Sequence, residues 1–376
     1  MLFPANLPVA EIWRKKDSCH LYLAENWRKI GCMKSYPYLE KYGIPHKIQL
    51  TDKLVGFLME IAEQRPFLEE SIGSALEVQL LRKAKIRAIT YSNQIEGNDL
   101  QEEQVTALIA GKKIKGDEKD VAEVQNYHEA IDYVETLSKD GRKLGLRDIC
   151  DIQKLVTKGQ LPSQLNGTLR SGPASIINSV TKEVIEECPP HYDLPHLMKE
   201  LTQWIEENST RNPFALAFAA HFITVAIHPF ADGNGRTVRL LQHLLLLKRK
   251  ESIASFIPSE TSIMANRERY YHTIRQAREL KRLDPFLEFL AECFAEAAKD
   301  VVKEARQILK GLAGKTPKAR QDKIKKFVKA HPGSSSSEIA NHFADVPKRT
   351  IERDIAELIK SKAIKATGST RSRKYS

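Results

Sequence analysis

The stretch His228-Pro-Phe-Ala-Asp-Gly-Asn-Gly-Arg-Thr-Val-Arg239 decides how the rest of this chain is read. It stands between two apolar runs, Phe214 to Ile227 and Leu240 to Leu247, each with the composition of a buried helix. Pro229 disfavours helical dihedrals at the residue before it, so the first helix is expected to end at His228. Gly233 and Gly235 let the backbone take positive φ and approach a ligand closely. Successive N–H groups in such a turn, leading into a helix N-terminus, form an anion-binding concavity. Around it stand a possible general base (His228), a hard-cation ligand (Asp232), an amide (Asn234) and two guanidinium groups (Arg236 and Arg239). Arg236 and Arg239 are three apart, so both can project from one side of a first helical turn. A polyphosphate with its magnesium would use all of these groups.

Gly-Asn-Gly alone makes many polar corners. With His-Pro-Phe before it and paired arginines after it, the stretch resembles the motif of the Fic family, His-Pro-Phe-x-[Asp/Glu]-Gly-Asn-Gly-Arg-x-x-Arg, at each specified position. The resemblance implies a mostly α-helical core with a small β-hairpin flap. It also implies protein adenylylation: AMP passes from ATP to a Ser, Thr or Tyr hydroxyl of a target protein, with Mg²⁺ required. His228 would take the hydroxyl proton, a role suited to a group whose ordinary pKa is near neutrality. Asp232 would hold Mg²⁺, Gly233, Asn234 and Gly235 would form the anion-hole loop, and Arg236 and Arg239 would bind the β- and γ-phosphates. Positioning and charge stabilisation carry most of such a transfer. A phosphorylating branch has Lys at the second glycine, so Gly235 favours nucleotidyl transfer.

Upstream, Ile72 to Ile95 shows apolar residues at helical spacing, and Gly97 is a favourable residue just past a helix end. Glu96 then sits where the helix dipole disfavours an acid. Ser92-Asn-Gln-Ile-Glu96-Gly97 resembles the family's inhibitory pattern, in which the glutamate pairs with the second motif arginine, here Arg239, and takes the γ-phosphate's space. Without that context, Ser and Glu at this spacing would read as a solvated helix face.

Further helices are expected at Leu54 to Ala62, Asp117 to Lys139, Leu146 to Leu155, Leu194 to Glu207, Asn266 to Lys281 and Asp284 to Leu309. Where relatives show Leu-x-x-Leu-His, this chain has Ile149, Ile152 and Gln153, read as a core variation. Asn166-Gly-Thr-Leu-Arg170 resembles the segment that opens the family's flap. Ser175, Ile176, Ile177 and Asn178, then Glu183 to Glu186, read as a short hairpin. In the family that hairpin pairs with an extended target loop by strand addition. Tyr271 is the expected ring near the adenine, with Tyr270 there or in the core. Some relatives carry Asn seven residues after the second Tyr, where this chain has Arg278.

The chain has 376 residues and a net charge of +11. Positions 315 to 376 hold sixteen Lys and Arg against six Asp and Glu, leaving 43 basic and 42 acidic residues elsewhere. The basicity therefore marks a separate module. Gly311 to Pro317 reads as a linker, and beyond it three short helical segments and a β-prone tail resemble a winged helix-turn-helix. Lys348, Arg349 and Arg353 open its third helix, placed to contact DNA; dimerisation or docking is the other use. The expected organisation is an N-terminal helical region with the inhibitory helix (1–115), a catalytic core (116–310) and the winged helix (316–376). Residues 1 to about 50 read as an arm packed on the body.

Five scattered cysteines, without metal spacing, read as thiols of a cytoplasmic protein, and no apolar run reaches membrane-spanning length. The expected partners are thus ATP and a protein with an exposed hydroxyl-bearing loop, with DNA and a second copy as further candidates, and no membrane. Two other functions stay open: removal of AMP by the same site, alone or beside its addition, and a transcriptional regulator whose helical body only senses nucleotide.

Overall fold

The computed structural model describes residues 35–177, 184–313, 317–343, 346–368 and 373–376. Asn178 and the first 34 residues, including most of the expected arm, lie outside the described residues. The helices of the body are α1 (Pro37–Lys41), α2 (Asp52–Glu70), α3 (Ala75–Ile95), α4 (Glu102–Ile109), α5 (Glu118–Leu137) and α6 (Leu146–Val156). After the hairpin strands β1 (Ser175–Ile177) and β2 (Val184–Glu187) come α7 (Leu194–Glu207), α8 (Pro213–Ile227), α9 (Asn234–Lys248), α10 (Glu260–Ala265), α11 (Arg267–Leu280) and α12 (Asp284–Ala313). The C-terminal stretch has α13 (Pro317–Ala330), α14 (Ser336–His342), α15 (Lys348–Lys360), β3 (Ala366–Thr367) and β4 (Lys374–Tyr375). The protein is mostly α-helical with a small antiparallel hairpin, as its sequence leads one to expect.

The body is arranged around α8. Asn212 caps it, its Oδ1 accepting from the N–H groups of Phe214 and Ala215 at 3.0 and 3.2 Å, and Pro213 fits the first turn. Every residue from Phe214 to Ile227 is buried, so α8 is apolar on all sides and surrounded by protein. Phe218, Phe222, Phe286 and Phe289 belong to the core cluster that α8 shares with α12. A second cluster, including Ile89, Val124, Tyr127, Ile152, Leu240 and Leu244, joins α3, α5 and α6 to α9. Val238, Leu241, Leu245 and Leu246 of α9 also belong to the first cluster, so α9 stands between the two and the motif loop joins it to α8. Among residues expected to form the arm, Tyr38 and Leu39 donate their backbone N–H groups to the Glu200 carboxylate, which docks α1 on α7.

Two expectations need correction here. The linker read over Gly311 to Pro317 is shorter, because α12 runs on to Ala313 and α13 begins at Pro317. Gly311 costs helix propensity, but the long amphipathic α12 carries through it. The hairpin is irregular, with β1 and β2 shifting register between Ile176 and Ile177, and β2 runs one residue past Glu186 to Glu187. The C-terminal stretch packs on its own core of Ile324, Val328, Ile339, Ile351, Ile355, Leu358 and Tyr375. A buried Arg320–Asp354 pair ties α13 to α15 inside it.

Candidate active site

His228 takes left-handed backbone dihedrals, φ 50° and ψ 62°, immediately after the last turn of α8. Its N–H still closes the helix on the Thr224 carbonyl at 3.0 Å, so the side chain is held at a fixed exit point. Left-handed φ is rare outside glycine, and such strain persists only where the surroundings impose it. Arg170 supplies much of that constraint. Its Nε donates to the His228 carbonyl at 2.8 Å, and its backbone N–H donates to the Pro229 carbonyl at 2.9 Å. Burial pushes the His228 imidazole down to about 4, with the Arg170 charge acting in the same direction. The ring is thus neutral near pH 7, the form that accepts a proton.

The loop after it is shaped by Asn234 and Gly233. Asn234 Nδ2 donates to the Phe230 carbonyl at 2.8 Å while its Oδ1 accepts from the Phe230 N–H at 3.0 Å. The Asn234 side chain is therefore committed to the loop, and its contribution to an anion site is through the backbone. Gly233, at φ +77°, precedes α9 as an N-cap without a side chain, and a Cβ there would stand 2.6 Å from Thr157 Cγ2. The first N–H groups of a helix have no partner within it, so this end of α9 presents donors to an anion. Gly235 needs correction: it lies within α9, without positive φ, and its role is space. A Cβ on Gly235 would meet Glu96 Oε1 at 2.0 Å.

Glu96 occupies that space because Arg239 holds it. Arg239 Nη2 donates to Glu96 Oε1 at 2.8 Å and to the Ser92 carbonyl at 2.9 Å, while Nε donates to Ser92 Oγ at 2.8 Å. Burial alone would raise the Glu96 carboxyl, but Arg239 and Arg236 hold it below its ordinary value. Burial likewise works against the Arg239 charge, and Glu96 together with Tyr270 and Tyr127 more than offsets it. Ser92, Glu96 and Arg239 are thus brought together as the sequence suggests. Arg236 points elsewhere. It pairs with buried Glu123 of α5, Nη1 to Oε1 at 3.3 Å, and Asn98 Nδ2 donates to the other oxygen of Glu123 at 2.9 Å. Both motif arginines therefore have acidic partners, one of them missed by the sequence reading because Glu123 lies on a distant helix.

A cavity of about 340 Å³ collects Glu96, His228, Asp232, Gly233, Asn234 and Gly235 on one side and Ser175, Ile176, Tyr270 and Tyr271 on the other. A larger cavity, about 510 Å³, touches Arg239, which the smaller one does not, but neither His228 nor Asp232, so the chemistry belongs to the smaller one. Tyr271 is a wall residue of this cavity. Tyr270 is both wall and core, its hydroxyl 2.9 Å from Nε2 of buried His221. Asp232 is exposed at the cavity mouth, and its Oδ1 accepts from the Gly233 N–H at 2.6 Å. No cluster of three potential metal ligands occurs among the described residues. A carboxylate beside a phosphate site fits Mg²⁺, which is usually held by one or two carboxylates together with substrate oxygens and water.

Gln153 also needs correction. It is no mere core variation: its Nε2 donates to the Asp232 carbonyl at 3.0 Å and its Oε1 accepts from the Gly167 N–H at 2.6 Å. One buried amide thus ties the motif loop to the segment leading to Arg170.

Residues 143–246, which hold α6, the hairpin and the whole motif, match the model of the Fic/DOC family. The chain carries a Fic/DOC-family domain. It is 31% identical over 225 residues to the protein adenylyltransferase Fic of Drosophila melanogaster, a match covering 57% of this chain and 42% of that protein. The protein adenylyltransferase Fic of Nematostella vectensis is 29% identical over 226 residues, covering 59% and 49%. The chain therefore spans about half the length of these relatives, or less. The crystal structure of a Fic family protein from Desulfovibrio desulfuricans G20 superposes with a TM-score of 0.64 at 26% identity, covering 88% of this chain and 97% of that one. The agreement with that Fic structure extends well beyond the segment matched by the family model.

Proposed function

We propose that this protein transfers AMP from ATP to a hydroxyl group of a target protein, and that Glu96 restrains the reaction. The observation that carries the reading is one cavity holding a neutral His228, a carboxylate at Asp232 and the N-terminus of α9. His228 would accept the target's hydroxyl proton as the oxygen attacks the α-phosphate. The bond from that phosphorus to the bridging oxygen breaks, and pyrophosphate leaves. Bound Mg²⁺ would neutralise phosphate charge. Asp232 would hold it, the loop from Gly233 to Gly235 would face the phosphates, and Tyr271 would border the base.

In the described arrangement Glu96 is paired with Arg239 and covers Gly235, so the γ-phosphate would have to displace it. We read this as the inhibited state. The β1 edge beside the cavity offers an extended target segment a strand to pair with.

Incubation with ATP labelled separately at the α- and γ-phosphates tests the reaction. Protein should acquire label from the α position only; label from γ would make the protein a kinase. A nucleotide-sensing DNA regulator would acquire neither. Because Glu96 lines the same cavity as His228, a second reading keeps support: Glu96 could orient a water that removes AMP. Loss of label from a premodified protein on addition of this enzyme would reveal that direction.

A further inference from the structure

Hairpin β1–β2 has only two strands, and such a unit is marginal without packing against the rest of a fold. Its attachment is therefore a functional matter if one edge of β1 receives a ligand. Antiparallel register pairs Ile176 with Glu186. Directly opposed residues share a face of the sheet, so these two side chains point the same way. Ile176 is buried and lines the cavity together with Tyr271 and Ile274 of α11. Glu186 meets α11 one turn further along. Arg278 Nε donates to both Glu186 oxygens at 2.6 Å, and Arg278 Nη2 donates to the Tyr42 carbonyl at 3.0 Å. Both charged side chains are mostly shielded, 14% and 23% exposed, which makes the pair stronger than a surface ion pair.

Tyr271, Ile274 and Arg278 are spaced i, i+3 and i+7, one stripe of one helix. The stripe lines the cavity at its first two positions and grips the hairpin at its third. We propose that Arg278 is a positioning residue that fixes the hairpin through Glu186, and so holds the open β1 edge in register with His228. Its use as a docking edge rests on the function proposed above; the anchoring does not. Arg278 does not line the cavity that holds His228. It sets the hairpin, and through it the fit of an extended polypeptide rather than of ATP.

Hydrogen exchange of the full chain tests the anchor without any turnover. Arg278→Met keeps the stem and removes the donors; Glu186→Gln keeps the shape and removes the charge. Each should speed exchange of the amides in 175–177 and 184–188 about tenfold or more, as loss of a shielded charge-assisted bond would. Exchange within α12 should be unchanged. The double variant should be no faster than Arg278→Met alone, since both remove one interaction. Hairpin exchange equal to that of the parent chain would overturn the proposal, as would independent multiplication of the two effects. In a Glu96→Gly background, Arg278→Met should reduce α-label transfer to protein while leaving the KM for ATP within twofold. An increase in the KM for ATP matching the loss of rate would reject the docking role. If Glu96→Gly with Arg278 intact transfers nothing, the proposed reaction fails, and the exchange result still decides the anchor.

Discussion

At the scale of single residues the site is a balance of charges around a neutral imidazole. His228 is kept neutral by burial and by Arg170, and the neutral ring is the form that can accept a proton. His228→Ala should abolish AMP transfer, a loss of roughly 10²–10⁴-fold for a positioned base. Nucleotide affinity, measured by calorimetry in a Glu96→Gly background, should stay within a few-fold, because the loop and arginines remain. Undiminished transfer would remove His228 from the role. Glu96 acts in the opposite sense. It pairs with Arg239 and stands 2.0 Å from where a Cβ of Gly235 would be, and in the function proposed above its carboxylate takes the space a phosphate needs. Glu96→Gly should raise α-label incorporation, including self-modification, by tenfold or more, since misalignment of about 1 Å can cost on the order of 10²-fold. Adding Arg239→Ala should cancel the gain, because the freed guanidinium is what the first change supplies. An ordinary helix-end glutamate would leave the rate unchanged, and that result would sink the inhibitory assignment.

At the scale of elements, the motif loop is held between α6, α8 and α9 by buried amides as much as by glycines. Gln153→Ala would leave the Asp232 carbonyl and the Gly167 N–H without their buried partner, at about 1–3 kcal/mol. Urea unfolding should report that loss, and ATP affinity should weaken as the loop loosens. Unchanged affinity despite lowered stability would confine Gln153 to the fold. The longer helices were legible because their signals are local: apolar runs at helical spacing, Pro229 closing α8, Gly97 following α3; the short α1, α4 and α10 carry too few periodic positions and were not legible. The pairing of Ser92 and Glu96 with Arg239 was legible only through a resemblance in pattern. The roles of Gln153, Glu123 and Arg278 were not legible. Each depends on a partner 14 to 236 positions away, and no spacing rule links a glutamine on one helix to a carbonyl in a distant loop. The register shift in the hairpin escaped because an irregularity of pairing leaves no fixed spacing in the sequence.

At the scale of the whole molecule, burial of ionisable groups sets how stability follows pH. His221, His228 and His243 are pushed down to about 3, 4 and 4, all by burial first. In an unfolded chain each would titrate near 6.5. As pH falls below 6.5 the unfolded chain takes up three protons that the fold refuses until about pH 4, so stability declines through that window. Glu260 opposes this. Burial raises its carboxyl to about 7, so between roughly 4.5 and 7 the fold keeps a proton that the unfolded chain releases. Glu260 therefore contributes stability that is fully present at low pH and lost as pH rises toward 7. Three histidines against one glutamate leave a net loss on acidification, roughly 2–3 kcal/mol per pH unit at its steepest. Below about 4.5 the loss deepens, because Glu96, Asp148 and Glu304 all have carboxyls held below their ordinary values. Urea unfolding of the nucleotide-free protein at pH 7, 6 and 5 should give falling midpoints with an unchanged slope. Glu260→Gln deletes the opposing contribution, so its stability should fall more steeply over the same interval. Equal midpoints at pH 7 and pH 5 in the parent chain would mean that these histidines reach solvent and charge within the folded state.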